Sequence, residues 1–213
     1  MINTCTVTNM ADRKSRQMMH RAKKKNPDGI IVAVGCYVQA AKEQLEEDTL
    51  IDLVIGNNMK SQVVQIVEQY IQDNRHTEDR DAYVADIAHS HEYETMHIET
   101  VSEHTRAYIK IQDGCNQFCS YCIIPYARGR VRSRKMEDIL QEVRNLTANG
   151  YKEIVLTGIH ISSYGLDFEH TADEQEDYGP FKNSALIDLI EALSGIEGLE
   201  RIRLGSLEPR IIT

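Results

Sequence analysis

Short apolar runs alternate with stretches of helical spacing in two separate parts of this chain, and that alternation confines it to parallel α/β architecture. In the first part, residues 2–7, 30–34 and 53–55 read as strands, and residues 11–25, 40–47 and 59–71 as helices. The last helix carries Val63, Ile66, Val67, Tyr70 and Ile71 on one face, behind Asn57 or Asn58 as a cap. In the second part, residues 106–112, 153–158 and 201–205 read as strands. One intervening helix presents Met136, Ile139, Leu140, Val143 and Leu146 and is closed by Gly150; another starts at Asn183-Ser184 and presents Leu186, Ile187, Ile190 and Leu193. Three strands cannot close a barrel, so this part reads as the start of a barrel or an open sheet.

Between the two parts periodicity dissolves. The expected organisation is therefore an N-terminal parallel α/β, Rossmann-like domain over residues 1–72, a connection over 73–105 with one short strand at most, and a second α/β domain over 106–213. The connection is rich in histidine. His89-x-His91 with His97 lacks thiolate or carboxylate company, and solvated linker histidines are the plainer reading.

At 213 residues with 41% hydrophobic content, the chain can bury sizeable cores. No run of about 18 apolar residues suggests a membrane span, and the opening Met1-Ile-Asn-Thr-Cys5 lacks the features of a secretory signal. The expected location is the cytoplasm, with no membrane partner. A net charge of −9 argues against nucleic acid, but basic runs at residues 13–25 and 128–135 stand apart from that average.

Five cysteines in a reducing compartment point to metal or redox chemistry rather than disulfides. Three of them lie in Cys115-Asn-Gln-Phe-Cys119-Ser-Tyr-Cys122, directly after a strand. A structural zinc site wants four closing ligands, and ferredoxin spacing begins with two-residue gaps. Three thiolates on a four-iron cluster instead leave one iron open to substrate. Cys5 lies near the end of the first strand and Cys36 just after the second; parallel strands bring such ends to one edge, although two buried cysteines can also be small hydrophobes.

The Cys-x-x-x-Cys-x-x-Cys loop resembles the signature of radical S-adenosylmethionine (SAM) enzymes. Ile111-Gln-Asp-Gly-Cys115, Ile123-Ile-Pro-Tyr-Ala-Arg-Gly129, Val155-Leu-Thr-Gly-Ile-His160 and Ser206-Leu-Glu-Pro209 resemble the methylthiotransferase branch, as do Asn3-Thr-Cys-Thr-Val-Thr8 and Gly35-Cys36. Residues 156–165 look most like the enzymes that modify N6-threonylcarbamoyladenosine at tRNA position 37. The resemblance implies a partial (β/α) barrel in which Cys115, Cys119 and Cys122 hold a 4Fe-4S cluster that binds SAM, and a second 4Fe-4S cluster that takes Cys5 and Cys36 as two of three ligands. It places SAM contacts at Gly158 and Glu208, with Tyr121 near the adenine, although a turn glycine, a surface carboxylate and a shielding aromatic are the plainer alternatives.

Arg128, Arg130, Arg132 and Arg134 are expected to meet tRNA phosphates, against the alternative of a solvated loop. An electron donor such as flavodoxin or ferredoxin is implied as a partner. Other readings are action on isopentenyladenosine tRNA or on a ribosomal protein, or a non-catalytic metal or iron-sulfur module that binds RNA. The family pattern has a further cluster cysteine before Asn3 and more barrel after Thr213, so the chain reads as an internal fragment, expected to be inactive alone.

Overall fold

The computed structural model describes residues 1–73, 83–90, 92–94, 106–168, 184–205 and 207–208. The chain forms two compact units. The first joins Met1–Ser90 to Gln117–Gly129, and the second joins His91–Asn116 to Arg130–Thr213.

In the first unit, strands β1 (Ile2–Thr4), β2 (Val32–Gly35) and β3 (Leu53–Ile55) form a parallel sheet in that order. Its central strand is buried on both faces, as a parallel strand covered by helices must be. One face packs Ala33 and Val54 with Met19 of α1 (Asn9–Lys25), while the other packs Val32, Val34, Leu53 and Ile55 with Ile66 and Tyr70 of α4 (Val63–Gln72). Thr8 caps α1 by accepting a hydrogen bond from the Ala11 amide, and Lys23, Lys24 and Lys25 complement the negative end of the helix.

Several expected boundaries move. β1 stops at Thr4, before Cys5. The helix expected over residues 40–47 is two short ones, α2 (Cys36–Ala40) and α3 (Lys42–Glu46), broken at Ala41 where φ is −130°. Asn57 and Asn58 do not cap α4: a 3-10 turn, Asn57–Gln62, precedes it, and the Asn57 amide donates to the Ala127 carbonyl instead. Residues 83–90, expected within a connection, dock on this unit, with Val84 and Ile87 buried and the Gly56 amide donating to Tyr83 O. His89 there pairs with Asp86; His76, His91, His97 and His104 lie outside the described residues.

In the second unit, β4 (Ala107–Asp113), β6 (Glu153–Gly158) and β7 (Arg201–Leu204) run parallel, and the two-residue β5 (Arg132–Ser133) pairs antiparallel with the far edge of β4. Alternation sends Ala107, Ile109, Ile111, Ile154 and Leu156 to one face. There they meet Ile139, Val143 and Leu146 of α6 (Met136–Ala148) and Leu186, Leu189 and Leu193 of α7 (Ala185–Ser194). Gly150 takes a φ of +91° just past α6, as the sequence suggests for a helix stop. Ser184 makes no side-chain capping bond to α7, and Asn183 lies outside the described residues.

Glu153 receives Arg201 and Arg203 across the β6–β7 pair. The Arg201 hydrogen bond, with help from Arg203, holds its carboxyl below the ordinary carboxylate range. A group depressed in the folded state contributes stability above its unfolded pKa, and that contribution is lost as pH falls through the folded value. Acid titration is expected to lower the melting temperature of Glu153→Gln less than that of the parent chain; parallel losses would refute this coupling.

Candidate functional site

Backbone register alone brings Cys5 and Cys36 to one place. β1 pairs Thr4 with Gly35, so each cysteine is the first residue beyond one of two neighbouring parallel strands, at the C-terminal edge of the sheet. Gly35 has φ +106°, and a Cβ there would lie 2.5 Å from Thr4 O and 2.7 Å from Asn3 Oδ1. Only glycine allows this approach. Gly35→Ala is expected to cost at least about 2 kcal/mol from left-handed strain plus backbone collision, measured by urea denaturation; an unchanged midpoint would contradict the geometry.

The two thiols have different surroundings. Cys5 is exposed, with Ser15 Oγ 3.4 Å from its amide nitrogen. Cys36 opens α2 at 7% exposure, and its Sγ accepts a hydrogen bond from Arg128 Nε at 2.9 Å. Arg128 ends α5 (Ile124–Arg128), a helix started by Pro125. α5 packs on α2 within the first unit, and the bond from Asn57 Nδ2 to Ala127 O (2.6 Å) fixes it from below.

The three-cysteine loop leaves β4 through Gly114, whose φ is +73°. Asp113 Oδ1 accepts from the Gly114 amide, closing the turn. Cys115 is half-buried and groups with the second unit, whereas exposed Cys119 and half-buried Cys122 group with the first. The Cys122 amide donates to Cys119 O at 2.9 Å, and Phe118, at φ +45°, meets Tyr126 edge-on with centroids 5.8 Å apart. All five cysteines are free thiols. Among the described residues no group of three or more His, Cys, Asp or Glu is gathered as metal ligands. By donor chemistry the loop fits an iron-sulfur cluster, because it offers three unoxidised thiols on one short segment.

Behind the loop stands Gln112, wholly buried at the end of β4. Its Nε2 donates to Asp113 O and Gly114 O, both at 2.7 Å, and its Oε1 accepts from the His160 amide at 2.8 Å. A Cβ on Gly158 would meet Gln112 O at 2.9 Å, so this glycine lets β6 close on that amide. Glu208 Oε2 lies 3.0 Å from His160 Nε2, whose Nδ1 faces Ser163 Oγ at 2.6 Å. Gly158, His160 and Glu208 thus share the C-terminal edge of the second sheet, where α/β folds bind ligands. Tyr121 stands 90% exposed. Gln112 and His160 have no role in the sequence reading: alternation puts Gln112 on the face opposite Ile109 and Ile111, and the register shift between Lys110 and Gln112 has no local signal.

Two expected RNA contacts need correction. Arg132 and Arg134 are each 2% exposed. Arg132 lies beside Asp113, and Arg134 forms an ion pair with buried Glu142 and donates to Asp138 O. Val131, Arg132, Ser133 and Arg134 are all buried along the β4 edge, so neither guanidinium is presented at the surface. Tyr93, whose hydroxyl donates to Lys110 O at 2.8 Å, sits near the same charges; burial pushes that hydroxyl well above its ordinary pKa and keeps it a donor. Arg128 turns its Nε toward Cys36, while Arg130 is half-buried and Lys135 exposed.

Residues 109–210, which span the thiol loop, β6 and β7, match the Radical SAM superfamily, and residues 1–56 match the "Uncharacterized protein family UPF0004". A radical SAM barrel segment preceded by this α/β unit defines the class. The chain is 39% identical over its whole length to "Threonylcarbamoyladenosine tRNA methylthiotransferase MtaB" of Bacillus subtilis, covering 44% of that protein. It is 40% identical over 97% of its length to the protein of that name from Aquifex aeolicus (46% of it), and 34% identical over its whole length to "tRNA-2-methylthio-N(6)-dimethylallyladenosine synthase" of Carboxydothermus hydrogenoformans (46% of it). By these matches the chain is similar to radical SAM methylthiotransferases along its whole length. It spans a little under half the length of these curated relatives. The family uses 4Fe-4S clusters and SAM. Among the described residues no helix is long and apolar enough to cross a membrane.

Proposed function

We propose that the full-length protein adds a methylthio group to C2 of N6-threonylcarbamoyladenosine at position 37 of tRNA, in the cytoplasm. The observation that carries this reading is the three-thiol loop leaving β4 at the ligand-binding edge of a parallel sheet, in a chain 39% and 40% identical to relatives named for that substrate. Cys115, Cys119 and Cys122 would hold the SAM-binding cluster, and Cys5 and Cys36 would supply two ligands of the second. When bound, the clusters and SAM supply one-electron reduction, radical formation and sulfur. Gly158, where β6 closes on Gln112, would offer its backbone to SAM at the strand end. His160 orients the Glu208 carboxylate toward the same edge, and exposed Tyr121 offers a ring to the adenine. A low-potential flavodoxin or ferredoxin would deliver the electron.

Nucleoside mass analysis of tRNA from cells lacking the full-length protein tests the substrate. The expected result is loss of the methylthio group from threonylcarbamoyladenosine alone. Loss from isopentenyladenosine instead, or an unchanged position 37, would overturn the proposed substrate. One equivalent of zinc with no cluster absorbance in the reconstituted protein would point to a non-catalytic RNA-binding module.

A further inference from the structure

One side chain in the first unit connects the segment that carries Cys119 and Cys122 with Cys36. Arg128 lies six residues beyond Cys122, on the helix that ends the thiol loop, and its Nε–H points at the sulfur of Cys36 at 2.9 Å. Three features hold it there. Pro125 and buried Ala127 seat α5 against α2; Asn57 Nδ2 grips the Ala127 carbonyl at 2.6 Å; and Gly35, which no other residue can replace without collision, fixes where α2 begins. Cys36 therefore does not depend on its own rotamer preference for its direction. A guanidinium N–H is also a fixed donor, because the group remains charged at all working pH values and its N–H bonds lie in one plane.

We propose that Arg128 is a positioning residue for Cys36, and that its hydrogen bond to the ligand sulfur sets the reduction potential of the second cluster. This rests on the two-cluster reading above. Reducing a cluster adds negative charge that spreads onto its sulfurs, so a cationic donor aimed at one of them stabilises the reduced form more than the oxidised form. The same contact ties the segment carrying Cys119 and Cys122 to the ligand Cys36. Arg128 thereby serves cluster geometry inside the protein, in place of the phosphate-binding role its basic neighbours suggest.

The test uses the full-length protein with Cys115, Cys119 and Cys122 all replaced by Ala, so that only the second cluster remains after anaerobic reconstitution. Iron per chain and the midpoint potential, followed by electron paramagnetic resonance, are compared for Arg128, Arg128→Lys, Arg128→Gln and Arg128→Met. The expected result is a midpoint shifted to more negative values in Arg128→Met, with Arg128→Gln between it and the parent and Arg128→Lys nearest the parent. If Arg128→Met fails to fold, Arg128→Gln and Arg128→Lys still decide, since both keep a donor and differ in charge. Equal midpoints across the folded variants, with iron content unchanged, overturn the role of Arg128 and leave the two-cluster reading standing. A triple-alanine parent that binds no iron overturns both.

Discussion

Cys119→Ala in the full-length protein is expected to reduce SAM cleavage to the background of the reductant, whereas Cys36→Ala is expected to keep 5'-deoxyadenosine formation and lose methylthio transfer. The loop thiols at positions 115, 119 and 122 sit on one turn-rich segment with two-residue and three-residue gaps, so removing the middle one leaves two donors that cannot enclose a four-iron cluster. Cys36 belongs instead to the edge shared by β1 and β2, where the Thr4–Gly35 pairing sets it beside Cys5. Two separate donor groups should fail separately. Liquid chromatography of the nucleoside product, run beside mass analysis of the modified tRNA, reads both steps in one reaction. Equal loss of cleavage in the two variants would contradict the division of labour.

The largest effect on stability is expected away from any cysteine. Arg134 and Glu142 are 2% and 6% exposed and form an ion pair between the end of β5 and the middle of α6. Removing one partner strands the other charge in a medium that solvates it poorly, which costs about 3–5 kcal/mol. Glu142→Ala is therefore expected to lower stability by that amount in urea denaturation. Replacing both residues with apolar side chains of similar volume, Arg134→Met with Glu142→Leu, should recover most of the loss, because a buried pair as a whole adds little net stability. A surface-like change, below about 0.5 kcal/mol for Glu142→Ala, would show that water reaches the pair. Since the Arg134 amide also donates to Ile111 O, the loss should appear as weakened pairing along the β4 edge, visible as faster amide exchange there.

Fold class and thiol loop were legible in the sequence because each rests on local patterning. Alternating apolar residues in β4 and β6, helical spacing in α4, α6 and α7, and glycine stops such as Gly150 specify elements through neighbours a few residues apart. The cysteine spacing is likewise a property of one short segment. Element ends were less legible. α2 begins at Cys36 and breaks at Ala41 because packing against α5 and the constraint at Gly35 override the intrinsic preference of residues 40–47 for one helix.

Direction was what the sequence could not supply. Arg128, Arg130, Arg132 and Arg134 read as one basic stripe, and in an extended segment residues two apart share a side, so the pairing of β5 with β4 that buries Arg132 carries Arg134 inward with it. Arg128, on a helix rather than the strand, turns to a cysteine 92 positions away. By itself the sequence determined which elements form and which atoms are offered, three thiols on one loop and two at strand ends. The tertiary structure alone decided which charges face those atoms and which are locked in the core, because that depends on register and helix packing between residues far apart in the chain.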